Sequence, residues 1–159
     1  MHVDQAGSEA NLFTRPFVLV SLAHFAFGFS VAFGVHLGGF LRQLGAGEAE
    51  IGRIVGAHAL TALVLAPFVG TLMDARGARL AIRLGGALLL LASTGYLFVS
   101  NLGPFVYAVR MLDGAGGTLV YASLFTYAAE VVPAQRRTEG LALFGAAGMV
   151  TLGIASALG

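Results

Sequence analysis

Residues 17–40 read Phe-Val-Leu-Val-Ser-Leu-Ala-His-Phe-Ala-Phe-Gly-Phe-Ser-Val-Ala-Phe-Gly-Val-His-Leu-Gly-Gly-Phe, a run without Asp, Glu, Lys or Arg. The hydrocarbon core of a bilayer, about 30 Å thick, is crossed by about 20 apolar residues of α-helix. A run of this length and polarity therefore predicts a transmembrane helix. Arg15-Pro16 directly before it marks a helix start, because a proline in the first turn removes an N–H that would have no helical partner anyway. The polar head before that, Met1 to Thr14, does not read as a signal peptide. Asp4 and Glu9 stand where a signal is basic, and the apolar run is too long for a signal's central region.

The rest of the chain has the same character. Of 159 residues, 57% are hydrophobic and 11% charged, and the mean hydropathy is +0.85. A soluble domain carries about 25% charged residues, so there is too little polar surface here to cover a water-exposed sphere. Four further apolar spans follow at about 51–73, 80–100, 105–132 and 141–159. They are parted by a connection holding Arg42, Gly45, Gly47, Glu48 and Glu50, by the charged turn Asp74-Ala75-Arg76-Gly77-Ala78-Arg79, by Asn101-Leu102-Gly103-Pro104, and by Pro133-Ala134-Gln135-Arg136-Arg137-Thr138-Glu139. The expected architecture is all-α and polytopic: a cytoplasmic segment over 1–16, then a transmembrane bundle over 17–159. The fifth span is still apolar at Gly159, so an odd number of spans without a polar stop predicts part of a longer protein. A complete five-span protein is the alternative.

Arginine placement sets the expected orientation, since cytoplasmic loops retain positive charge. Arg15, Arg76, Arg79, Arg83, Arg136 and Arg137 fall on one side, and only Arg42 and Arg53 flank the other. The N-terminus is accordingly placed in the cytoplasm, with the bilayer of a bacterial inner membrane as the expected partner. A net charge of +1 argues against a nucleic-acid binder, which needs clustered cations. The absence of cysteine removes disulfides, thiolate metal sites and cysteine nucleophiles. No soluble-enzyme site emerges either. The four histidines lack HExxH spacing, there is no Gly-x-Ser-x-Gly elbow, and Gly114-Ala115-Gly116-Gly117 has no preceding strand to make it a phosphate loop. No cofactor and no metal are expected.

Two charged residues are expensive where they sit. Arg110 and Asp113 lie inside the fourth span, and each costs about 2.5–3.5 kcal/mol at a helix centre. The apolar residues of that span contribute about 0.3–0.6 kcal/mol each, so the two sums nearly cancel. Such a helix should turn its polar stripe towards other helices or a water-filled cavity. At 100° per residue Arg110, Gly114, Gly117 and Tyr121 share a face, with Asp113 at its edge. The competing reading is that Arg110 and Asp113 simply neutralise each other as an i,i+3 pair, and both can hold together. On the first span His24 shares a face with Ser21, Gly28 and Gly38. It reads either as a proton relay or as a histidine hydrogen-bonded to a neighbouring helix. His36 and His58, nearer the outer ends, rank below it. Gly34 with Gly38, and Gly52 with Gly56, have the four-residue spacing that allows close helix approach. Phe25, Phe27, Phe29 and Phe33 read as surface for lipid and helix contact.

Three segments together resemble the major facilitator superfamily. Gly70-Thr71-Leu72-Met73-Asp74-Ala75-Arg76-Gly77-Ala78-Arg79 is similar to its signature loop between the second and third helices: glycine, aspartate four later, glycine three further, then basic residues. Arg110-Met111-Leu112-Asp113-Gly114-Ala115-Gly116 resembles the fourth-helix motif of arginine and a glycine-rich stretch. Glu130-Val131-Val132-Pro133-Ala134-Gln135-Arg136-Arg137 resembles the acidic-to-basic segment that ends that helix. Departures occur at Ala75 and Ala78, where basic residues are usual, and at Asp113, where glutamine is common. Gly145, Gly148 and Gly153 are similar to the antiporter motif of the fifth helix, but Ala155-Ser156 stands in place of its Gly-Pro, which weakens an antiport reading. Leu12-Phe13-Thr14-Arg15-Pro16-Phe17, leading into the first helix, is similar to bacterial efflux-type members related to arabinose and drug exporters.

The resemblance implies twelve helices in two halves, each built of inverted three-helix repeats, with this chain supplying helices one to four and most of five. It implies a secondary transporter moving a small solute by alternating access, coupled to protons and working in efflux, completed by further helices of the same protein. Gly70, Asp74, Arg76, Gly77, Arg79, Glu130, Arg136 and Arg137 would form the cytoplasmic gate. Asp74 would accept from a helix N-terminus, the arginines would pair with Glu130, and Gly70 and Gly77 would permit the tight turn and close approach. Arg110, Asp113, Gly114, Tyr121 and His24 would line the coupling and substrate cavity. Two other classes stay open: a five-helix membrane assembly subunit without transport activity, and a membrane-embedded enzyme.

Overall fold

The computed structural model describes residues 11–158, so the head residues Asp4 and Glu9, and Gly159, lie outside the described residues. Five α-helices follow in order: α1 Arg15–Gln43, α2 Glu48–Arg76, α3 Ala78–Tyr96, α4 Pro104–Val131 and α5 Arg137–Leu158. A 3-10 turn, Ala134–Arg136, joins the last two. Thr14 caps α1, its hydroxyl accepting from the Phe17 N–H at 3.4 Å, with Pro16 in the first turn as the sequence predicts. With 29 residues, α1 and α2 are each about 44 Å long at 1.5 Å per residue. Among the described residues α1, α2 and α3 are long and apolar enough to cross a membrane. In α4, Arg110 and Asp113 lower the hydropathy of a helix that is amply long, at 28 residues.

Most helix ends differ from the sequence reading by one to four residues, and at two of them the difference changes the connection. The charged turn expected at 74–79 is a single residue, Gly77. Asp74 and Arg76 belong to the last turn of α2, and Arg79 to the first turn of α3. Gly77 has φ 80° and ψ 156°, a conformation open only to a residue without Cβ, so one glycine reverses the chain. The third helix ends at Tyr96 rather than near Ser100. There Leu97, Phe98 and Val99 bond back to Thr94, Gly95 and Tyr96, tightening the last turn to i→i+3 spacing. Val99 is thereby folded under the bundle end, 7% exposed.

α4 is the hub, touching α1, α2, α3 and α5. The bundle is pinned at both ends by apolar clusters. Leu12, Phe17, Leu124, Val132 and Phe144 pack at the end where α1 begins. Leu37, Leu41, Ile54, Val99 and Val106 pack at the opposite end. Large apolar side chains such as Leu60, Leu63, Phe68, Leu90 and Met149 point outwards, which suits lipid or further helices.

The closest helix approaches are not at the glycine pairs with four-residue spacing. A Cβ on Gly38, Gly52 or Gly56 would meet nothing within 4 Å among the described residues. Instead Gly85 of α3 and Gly116 of α4 cross so closely that a Cβ on either would lie 2.9 Å from the other's carbonyl oxygen. Spacing shows where a groove exists; which groove a neighbour enters depends on the rest of the packing. The phenylalanine group also divides. Phe25 and Phe29 make an edge contact at 5.5 Å, Phe33 packs on Tyr96 at 5.2 Å, and Phe27 and Phe29 face two different cavities.

Candidate functional site

Between the two apolar clusters lies a polar layer. Arg110, one and a half turns into α4, has a side chain only 8% exposed, and its Nη1 donates to Asp113 Oδ2 at 2.6 Å. The i,i+3 spacing puts both on one side of the helix. The same carboxylate oxygen also takes a hydrogen bond from His58 Nδ1 on α2, at 3.0 Å. Because the acceptor is a carboxylate, the Nδ1 of His58 carries the proton. Arg110 Nη1 further donates to the Tyr96 hydroxyl at 3.4 Å, while Arg110 Nε is buried without a partner. A buried ion pair of this kind is costly to break, because the partner left behind keeps an uncompensated charge.

α2 comes close enough for this contact because of Gly114. A Cβ there would sit 2.7 Å from the carbonyl oxygen of His58. Gly114 is thus the seat of α2 on α4, and it is not among the residues lining either cavity that Asp113 borders. Gly117 and Tyr121 do line one: with Phe27, His58, Arg110 and Asp113 they surround a cavity of about 770 Å³ between α1, α2 and α4. A second cavity of about 650 Å³ is lined by Phe29, Phe33, His36 and Tyr96. Asp113 and Ser30 border both. The two volumes fall in the range of small-molecule sites, and Asp113 stands on their partition.

His24 lies apart from this cluster. It is 7% exposed, its Nδ1 donates to the Phe144 carbonyl of α5 at 3.0 Å, and its ring stacks on that of Phe144 at 4.1 Å. Of the two readings of this histidine, the geometry is that of a hydrogen bond to a neighbouring helix. Gly148 leaves room for the ring, since a Cβ there would lie 2.6 Å from it.

At the α1-start end, among the described residues, no ion pair joins Arg79 to Glu130. Arg79 reaches Tyr127, one turn earlier on α4: its Nη2 lies 3.4 Å from the hydroxyl and its guanidinium carbon 5.5 Å from the ring centre. Arg136 pairs with Glu139, donating at 2.6 Å and 2.8 Å, and holds that carboxyl below the usual glutamate range. Asp74 and Arg137 are exposed. Gly70 sits inside α2 with nothing within 4 Å of a Cβ among the described residues, so it makes neither the turn nor a close approach; Gly77 alone makes the turn.

Sequence reasoning ranked His58 low and passed over Tyr96. The signal for His58 was depth. It lies ten residues from the start of α2 and Asp113 nine from the start of α4, and both helices start from the same end of the bundle. Tyr96 offered no such signal, being the last residue of a helix whose end was placed elsewhere.

A helical bundle with large apolar residues outwards and three helices long and apolar enough to cross a membrane defines a multi-pass membrane protein. The chain belongs to the Major Facilitator Superfamily, whose family profile matches residues 17–159. It is 28% identical over 101 residues to the quinolone resistance protein NorA of Staphylococcus aureus (strain MRSA252), a match covering 63% of this chain and 26% of that protein. The chain thus spans about a quarter of that relative's length. No solved structure matches significantly.

Proposed function

We propose that the five helices are the first five of a secondary transporter that moves a small solute by alternating access, coupled to protons and directed outwards. The observation that carries this is the Arg110–Asp113 pair on the wall of the 770 Å³ cavity. A charge pair buried at membrane depth is expensive, and here it borders a space large enough for a solute. Efflux is supported by the resistance protein to which the chain is similar, which makes a quinolone the first solute to try. The arginine bias supports a cytoplasmic N-terminus in a bacterial inner membrane: Arg15, Arg76, Arg79, Arg136 and Arg137 all lie at one end of the bundle. That end, with Asp74 and Glu130, would be the gate that opens and closes as the bundle rocks.

The test is quinolone-driven proton flux in vesicles containing the full-length protein. Arg110→Ala abolishes the flux and leaves membrane insertion intact. Unchanged flux would remove Arg110 from coupling, and no flux with the wild type under any gradient would remove the proton-coupled reading itself.

A further inference from the structure

His58 and Arg110 converge on one oxygen of Asp113, and only one of them can exchange a proton. Arg110 is always a cation, whereas an imidazole can take up and give up a proton. We propose that His58 is the group that binds the coupling proton, with Asp113 as a carboxylate shared between two competing donors; this rests on the transport reading above.

With His58 neutral, its Nδ1–H is the weaker of the two donors and Asp113 belongs to Arg110, at 2.6 Å against 3.0 Å. The cluster is then neutral overall. A proton entering from the cavity binds Nε2 of His58, whose ring is 35% exposed and forms part of the cavity wall. No bond is broken: Nδ1–H keeps donating to Asp113, now from a cation, and the cluster carries one net positive charge. Asp113 then faces two cations with one contacted oxygen, and the Arg110 guanidinium, already short of a partner at Nε, is released in part. Because Arg110 is bonded to Tyr96 of α3 and His58 rides on α2, the shift of the carboxylate changes how α4 is tied to both neighbours. Loss of the proton from Nε2 restores the first state. The groups facing His58 are few. α4 supplies Asp113, Arg110 and, on the same cavity, the Tyr121 hydroxyl; α3 supplies Tyr96 through Arg110, and the α1 residues lining this cavity carry no titratable group. His36 of α1 lies on the second cavity, across Asp113. On α2 the nearest charge is Arg53, five positions away.

His58→Gln keeps a donor for Asp113 but cannot take up a proton. In vesicles of the full-length protein with a fluorescent quinolone as probe, pH-gradient-driven accumulation should fall about tenfold or more and lose its pH dependence. Wild-type accumulation in the variant would overturn the proposal. A second measurement needs no transport: ring-nitrogen NMR of His58 in the wild type should show a titration that moves when Asp113→Asn is introduced. A His58 ring whose charge does not change with pH, or one whose titration ignores Asp113→Asn, would equally overturn it. Should the wild type move no quinolone while His58 titrates as described, the transport reading fails for that solute and the proton site stands.

Discussion

His58 and Asp113 are 55 positions apart in the chain and 3.0 Å apart in the fold. The contact joins α2 to α4 at the depth where Arg110 is buried, and it exists because Gly114 lets the two backbones approach. A single glycine thus determines whether three charged or polar side chains form one cluster or two separate ones.

Removing either member of the Arg110–Asp113 pair leaves the other buried and uncompensated. Arg110→Ala and Asp113→Ala should each destabilise the bundle by about 3–5 kcal/mol. The double variant should cost clearly less than the sum, since no orphan charge remains. Thermal unfolding in detergent across the four proteins of this cycle measures it, and strict additivity would show that the pair is not coupled.

Gly114→Ala should push α2 away from α4 and cost about 1–3 kcal/mol, because the new methyl meets backbone that cannot swing aside. Gly52→Ala and Gly56→Ala, which meet open space, should lie within about 0.5 kcal/mol of the parent. Melting temperatures of the three variants side by side check the contrast.

Gly77→Ala should cost about 1–3 kcal/mol from backbone strain alone, since φ 80° with ψ 156° has no comfortable counterpart for an L-residue. Gly70→Ala, inside a regular helix, should be tolerated. A Gly70→Ala loss as large as that of Gly77→Ala would mean that Gly70 is packed against a partner helix.

At the same end of the bundle, Tyr127→Leu should loosen α3 from α4, because it removes both the hydroxyl and the ring that Arg79 engages. A cation over an exposed ring contributes about 0.5–1 kcal/mol. Glu130→Gln should have the smaller effect in this conformation. The chain contains no cysteine, so thiol labelling of a single cysteine introduced beside Arg79 reports the change directly.

Glu139 gives a pH dependence with a definite sign. Its carboxyl is held below its ordinary range by Arg136, so the pair supports the start of α5 above the ordinary glutamate pKa. That support is lost as pH falls through the depressed value. Glu139→Gln should abolish this acid-side change, as followed by carbon NMR of the carboxyl and by exchange of the α5 first-turn amides.

The membrane class, the all-helical fold and the family motifs were legible along the chain, because each depends on local quantities: run length, hydropathy and the order of glycines and charges. Arg110 and Asp113 stood out for the same reason, as each is costly at its depth whatever surrounds it. What the linear pattern could not supply was the choice among faces. Gly34, Gly38, Gly52 and Gly56 had the spacing for close approach, yet Gly85, Gly114 and Gly116 are where helices meet. Glu130 had the charge to pair with arginine, yet Tyr127 has the position. Tertiary packing decided these, and with them the place of His58, because a helix offers several faces of similar composition and only the rotation and height of its neighbours select one. A residue's cost can be read from its own chemistry, but its partner is set by the rigid-body arrangement of helices.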